Sequence, residues 1–321
     1  MKFDAEPPRE PVAIFGNAWK IYAYGDIDQA APARAQQLIK NLGIPDNSTI
    51  YLDSPGGNVV AAIELGRIFR QHGLNTYVAA KQANRIAQCL SACTLAFIGG
   101  KFRYLSDGAL YGVHRFFAEQ PTQDDMGTAQ VLSSIIVNYI REMDVDPDLF
   151  MEMTKSGKDE MNLLSKSRME ELGVVNNGVG RTYWSIESIP DEGLYLLGAR
   201  DSVYGTSKFM VSCTKGVPFL LAMFDPQRRA DEVLVMGAQS LLIDGTPFPI
   251  ADYKIDGPDV VNGWIAVQYR LDERLLMKIL NAQTVGVSFQ YAYDAPIFLG
   301  FDGMEISSAR GKLSGLLSSC H

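Results

Sequence analysis

The sequence predicts an α/β domain followed by a smaller, mainly-β domain, with the division near residue 188. Three observations predict it. Strand-like and helix-like segments alternate from residue 19 to about 115, the order that builds parallel sheets with crossover helices. From residue 194 onward, short alternating apolar runs are separated by Gly, Pro and Asp turns, the pattern of a β-sandwich or barrel. The length, 321 residues, exceeds what one hydrophobic core usually serves. The expected domains are residues 1–188 and 189–321.

After a polar leader rich in proline, residues 19–25 alternate as a first strand. A helix over 31–42 follows, with Pro32 in its first turn and Gly43 as its stop. The turn Pro45-Asp46-Asn47 leads to a strand over 49–52, completing a β-α-β unit. From Asn58 to Gln71 the residues Val59, Ile63, Ile68 and Phe69 fall at roughly helical spacing, with Gly73 as the stop. A strand over 76–80 comes next, then a loop, then the uniformly apolar stretch 92–98, which reads as a buried helix closed by Gly99-Gly100. Tyr104-Leu105, the turn Ser106-Asp107-Gly108 and a strand over 109–113 deliver His114.

Beyond Gln120 a long helix is expected to about Met143, and a second over 147–155. A short helix over 163–173 precedes a strand at Val174-Val175, and the polar segment 183–193, interrupted by Pro190, reads as the boundary. In the second half, strands are expected at 194–197, 209–211, 219–223, 233–236, 241–243, 264–269 and 285–291, with helices over 272–280 and 308–317.

A net charge of -8 works against nucleic acid and anionic membrane surfaces, since binding by counterion release needs clustered Lys and Arg. The apolar runs fall short of the ~20 residues that span a bilayer, so no transmembrane segment is expected. The start, MKFDAEPPREP, has acids and prolines where a secretory signal carries a basic end and an apolar stretch. Either the protein is cytoplasmic or such a signal has been removed. The four cysteines bear on this choice: Cys89 and Cys93 flank Ser91, while Cys213 and Cys320 bracket most of the second half. Four cysteines allow three pairings, and four free thiols in a cytosolic protein stay open beside them.

Chemistry concentrates in residues 54–114. Of three histidines, His72 sits beside the helix stop Gly73 and His321 ends the chain, which leaves His114 as the candidate base. A serine becomes a useful nucleophile only when a base takes its proton and backbone N–H groups receive the oxyanion. Ser91 stands at the head of the buried apolar stretch, and Gly56 and Gly57 lie between a strand and a helix. Taken alone, Ser54-Pro55-Gly56-Gly57 is also ordinary turn chemistry, and His114 an ordinary strand-end histidine. There is no His/Cys ligand cluster, no Gly-x-Gly-x-x-Gly and no Walker loop, so neither a metal nor another cofactor is expected.

Taken together, Ser54-Pro55-Gly56-Gly57 before a helix, Ser91 at the head of a buried helix, Gly99-Gly100 and Arg103 after it, and His114 closing a strand resemble the proteolytic subunit of the Clp protease. The separation of 23 residues (114 minus 91) is about what that family uses, and the resemblance covers roughly residues 17–180. It implies the β-β-α spiral shared with crotonases, Ser91 as nucleophile, His114 as general base, and an oxyanion hole among Gly56, Gly57 and Ala92. The family's third catalytic residue, an aspartate, would fall close to Met161, where no acid stands; Asp159 is the substitute expected here, with Glu160 and Asn162 as neighbours. Arg115-Phe116-Phe117 replaces the family's glycine-rich stretch after the histidine, so pairing of rings and an unfoldase partner do not carry over. Cys-Leu-Ser-Ala-Cys instead looks like the Clp-like proteins of bacterial envelopes. The implied protein is a periplasmic or otherwise exported serine peptidase acting on peptides or proteins, with a homo-oligomer among the expectations. Acyl-CoA enzymes of the crotonase type need a carboxylate base in place of a serine-histidine pair. The stronger competing reading is a catalytically idle scaffold that binds a partner protein through its second domain.

Overall fold

The computed structural model describes residues 1–9, 17–82, 85–116, 125–157, 160–190 and 193–320. The protein is a mixed α/β structure with several sheets, and it divides into two compact units, Met1–Gly178 and Val179–His321.

The first unit runs β1 (Lys2–Glu6), β2 (Lys20–Tyr24), α1 (Ala31–Leu42), β3 (Thr49–Asp53), α2 (Val59–Gln71), β4 (Asn75–Val78), β5 (Gln88–Leu90), α3 (Cys93–Ile98), β6 (Arg103–Leu105), β7 (Leu110–Val113), α4 (Asp125–Glu142), α5 (Asp148–Thr154), β8 (Asn162–Leu163) and α6 (Lys166–Glu171). Its main sheet has the order β1-β2-β3-β4-β6, parallel except for β1. A second sheet, β5-β7-β8, leads directly into the candidate residues Ser91, after β5, and His114, after β7.

Local signals explain most boundaries. α1 starts with proline in its first turn and ends at Gly43, whose φ of 58° suits glycine. Asn58 caps α2 by accepting from the Ala61 amide at 2.9 Å. α2 turns Ala62, Leu65 and Phe69 inward, and every residue of α3 is buried. The two helices touch through glycines: a Cβ on Gly99 would lie 2.2 Å from the Gly66 Cα. Tyr139 of α4 reaches the same place and donates to the Leu95 carbonyl at 2.8 Å.

The second unit runs β9 (Tyr183–Ile189), β10 (Gly193–Ser202), β11 (Gly205–Thr214), β12 (Val217–Phe224), α7 (Ala230–Leu234), β13 (Ala238–Ile243), β14 (Thr246–Pro249), β15 (Lys254–Val261), β16 (Trp264–Arg270), α8 (Glu273–Asn281), β17 (Thr284–Gln290), β18 (Leu299–Glu305) and α9 (Arg310–Ser318). The strands form two sheets, ordered β15-β16-β12-β11-β10-β9 and β14-β13-β17-β18, with antiparallel pairing throughout. Phe209, Leu220, Phe289 and Leu313 belong to one core that both sheets and α9 share.

Several expectations change. The polar leader contains β1, which β2 recruits by antiparallel pairing. β5, three residues in an expected loop, exists because Ser54 and β7 flank it. The helix expected over 163–173 begins only at Lys166, after the Ser165 cap, since Asn162 and Leu163 pair with β7. Val174 and Val175 form no strand; their amides donate to Met169 O and close α6. Residues 233–236 fall in and just after α7, and the expected boundary at 183–193 contains β9.

Among the described residues every cysteine is paired, Cys89 with Cys93 and Cys213 with Cys320. Such pairing fits an oxidising environment. Among the described residues no helix is long and apolar enough to cross a membrane. The Cys213–Cys320 bridge spans 107 residues and, by loop-closure entropy, stabilises by ~4–5 kcal/mol; the Cys89–Cys93 bridge spans four and contributes only about 2 kcal/mol by the same relation. Replacing Cys213 and Cys320 together by Ala is expected to lower the unfolding free energy by ~2–5 kcal/mol. Urea denaturation followed by Trp184 and Trp264 fluorescence checks it; an unchanged midpoint would refute the assignment of that bridge as the main covalent support of the second unit.

Candidate active site

Three chain segments converge on β5. The first is the turn after β3. Ser54 Oγ donates to Gly25 O at 2.8 Å and accepts the Gly56 amide at 3.1 Å, folding the Pro-Gly-Gly loop back on itself. Gly56 and Gly57 have φ values of 111° and 134°, which side chains rarely tolerate. A Cβ on Gly56 would lie 2.7 Å from Ser91 Cβ and 3.1 Å from Ala92 N; one on Gly57 would lie 2.3 Å from Ile27 O. Absence of side chains therefore lets this loop touch the candidate nucleophile.

The second segment is the turn from β5 into α3. Ser91 has φ 53°, a left-handed conformation that costs a residue with a side chain ~1–2 kcal/mol. The surroundings hold it there. Its amide donates to Gly112 O at 2.8 Å, and its carbonyl accepts from the Thr94 amide at 3.0 Å and the Thr94 hydroxyl at 2.6 Å. Asp53, buried at the end of β3, accepts the Gln88 amide at 3.2 Å and pairs with Arg85 at 3.2 Å, which anchors the start of β5.

The third segment is β7, which pairs in parallel with β5 and releases the chain at His114. His114 Nε2 lies 2.7 Å from Ser91 Oγ. With its proton on Nδ1, the ring accepts the serine hydroxyl proton along this line. The structure thus brings Ser91, His114, Gly56 and Ala92 together, with Gly57 next along the loop and packed against Ile27. Gly56 commits its N–H to Ser54. Among the described residues, neither the Gly57 nor the Ala92 amide donates a hydrogen bond.

Asp159 lies outside the described residues. Asn162 stands opposite Val113 in the β7–β8 pair, but its amide donates to Glu152 O at 3.1 Å and Glu152 Oε2 at 3.2 Å. Glu160 is exposed. His72 caps α2, and His321 lies outside the described residues.

No protein-family model matches the chain, and no curated protein matches it in sequence. Among solved structures, a mutant of a membrane-bound stomatin-specific protease aligns with 48% of this chain and 75% of that one, at 17% identity and a TM-score of 0.35. A likeness that low carries neither fold nor mechanism across, so the chemistry rests on the residues themselves.

One contributor escaped the sequence reading, and a second entered it without a role. Glu152, buried on α5, receives Lys155 at 2.6 Å, Arg168 at 2.9 Å and Asn162, and so ties β8 and α6 together beside β7. In sequence it is one more helical acid. Lys155, then Arg168 and Asn162, hold its carboxyl below the usual carboxylate range. Arg103, noted only by resemblance, is buried and donates to the carbonyls of Ile98, Gly100, Met143, Gly173 and Val174. Burial lowers its pKa to about 10, which leaves it a cation at neutral pH.

Two outcomes test this geometry. Gly56→Ala should cost ~1–3 kcal/mol because its Cβ would displace Ser91. Gly108→Ala, at φ 73° with nothing within 4 Å of its Cβ, should cost about 1 kcal/mol from backbone strain alone. Equal stability losses in urea would refute the tight contact at Ser91. A depressed carboxyl pKa contributes stability above the unfolded value and loses it as pH falls through the folded one. Glu152→Gln should therefore destabilise at neutral pH and less so in acid; a pH-independent difference in urea midpoints would contradict the anchor.

Proposed function

We propose that residues 1–188 form a Clp-like serine peptidase domain in which Ser91 is the nucleophile and His114 the general base, with residues 189–321 as an accessory domain. The observation that carries this reading is the 2.7 Å approach of His114 Nε2 to Ser91 Oγ at a left-handed serine. A position that strained persists only where its surroundings enforce it, and such positions cluster at functional sites.

The reaction follows from the atoms present. Ser91 Oγ adds to the carbonyl carbon of a peptide bond as its proton passes to His114 Nε2. The resulting oxyanion accepts hydrogen bonds from the Gly57 and Ala92 amides, which have no other acceptor among the described residues. Gly56 supplies closeness to Ser91. The imidazolium returns its proton to the leaving amine, and a water deprotonated by His114 then hydrolyses the acyl-enzyme. Asp159 is the residue proposed to orient His114, and no cofactor enters any step. Both disulfides support work in an exported, periplasm-like compartment, on peptide or protein substrates. Assembly into a homo-oligomer belongs to the same reading.

A fluorophosphonate probe tests the proposal. Labelling should vanish in Ser91→Ala and fall by roughly a thousandfold in His114→Ala, with the double variant no different from Ser91→Ala. A folded wild-type chain that never labels, with partner binding intact in both variants, would instead establish the idle scaffold.

A further inference from the structure

We infer that the Cys89–Cys93 disulfide is a positioning clamp for the nucleophile, so that the site is complete only in its oxidised form. The enzymatic consequence rests on the serine-peptidase reading; the clamp itself does not. The bridge brings Cα atoms four residues apart to 5.2 Å, where an extended chain would place them roughly 13 Å apart. Ser91 is the middle residue of that closed ring, and it is the one with positive φ.

Each end of the clamp holds a different part of the site. Cys89 is the central residue of β5, opposite Tyr111 of β7 and bridged to Ser54 at the head of the glycine loop. Cys93 opens α3, one residue after the Ala92 amide. Joining them sets the Ala92 amide against the glycine loop and the Ser91 side chain against His114. A five-residue ring removes little entropy from the unfolded chain, so this bridge acts where it sits, unlike Cys213–Cys320.

Both sulfur-bearing residues are fully buried, which shields the bond from thiols once the chain has folded. The clamp therefore records where folding took place. Its two thiols give up two electrons and two protons to a disulfide-class oxidant, which leaves as its dithiol. A chain folded under reducing conditions keeps the thiols and lacks the constraint.

The experiment compares the full wild-type chain, the C89A/C93A pair and the C213A/C320A pair. It measures fluorophosphonate labelling across pH and hydrogen exchange at the Ser91 and Thr94 amides. In C89A/C93A, labelling should slow by about 10–100-fold, the loss expected for a small misplacement of a reacting group, with the shape of the pH profile kept. The Ser91 amide, bonded to Gly112 O, should exchange faster. C213A/C320A should label at the wild-type rate. Wild-type labelling and protection in C89A/C93A would overturn the clamp. If the wild type never labels, exchange alone decides: faster exchange in C89A/C93A upholds the clamp while the peptidase reading falls, and unchanged exchange removes the clamp. Should the alanine pair not fold, C213A/C320A refolded with its remaining thiols reduced serves instead, and labelling, or Ser91 protection, must return on reoxidation.

Discussion

β5 is only three residues long, yet the candidate site depends on where it is held. On one side Ser54 N donates to Gln88 O at 2.7 Å and Leu90 N to Ser54 O at 3.0 Å. On the other, β7 pairs with it in parallel. A strand this short has almost no stability of its own, so its register is imposed by these neighbours. That register determines where the chain must turn, and the turn falls on Ser91. Left-handed backbone, the approach of Gly56 and the meeting with His114 are consequences of the same constraint.

Behind the site, charge performs the work that helix caps usually perform. The last carbonyls of a helix have no partner within it. Arg103 collects Ile98 O and Gly100 O from the end of α3, Met143 O from the end of α4, and Gly173 O and Val174 O after α6. Arg70 adds Gly99 O at 3.1 Å and an ion pair with Asp144 at 3.2 Å. Burial and then the neighbouring Arg70 guanidinium disfavour the charge on Arg103, and Asp144 offsets part of this. A buried cation satisfied by carbonyls is directional where an apolar filler would be indifferent. It fixes three chain ends relative to one another, and these support the elements that carry Ser91 and His114.

The second unit is organised differently. Its sheets are antiparallel throughout, its core is a face shared by strands and α9, and its covalent tie joins β11 to the end of α9. Among its described residues nothing matches the close approach of Ser91 to His114 beside the Gly56 turn in the first unit, which is why the proposed chemistry is confined there.

Strong local signals were legible in the sequence by itself. α1 with its proline entry and Gly43 exit, α2 behind Asn58 and α8 behind Asp272 follow from residue types and spacing, while Ser91 and His114 were paired as candidates through the family resemblance. Where the signal was tertiary, the sequence was silent or misleading. The apolar run 233–236 has β propensity, but only contact with the core makes the chain helical over Ala230–Leu234. A three-residue strand shows no period, so β5 needed Ser54 and β7, residues far away along the chain, to exist at all. Which cysteines pair depends on Cα separations that spacing cannot supply, and which of Gly56, Gly57 and Ala92 keeps a free amide depends on Ser54 reaching back to claim one of them. Composition and periodicity report what a segment prefers alone; hydrogen-bond partners and disulfides are properties of segments brought together, and only the tertiary structure decides those.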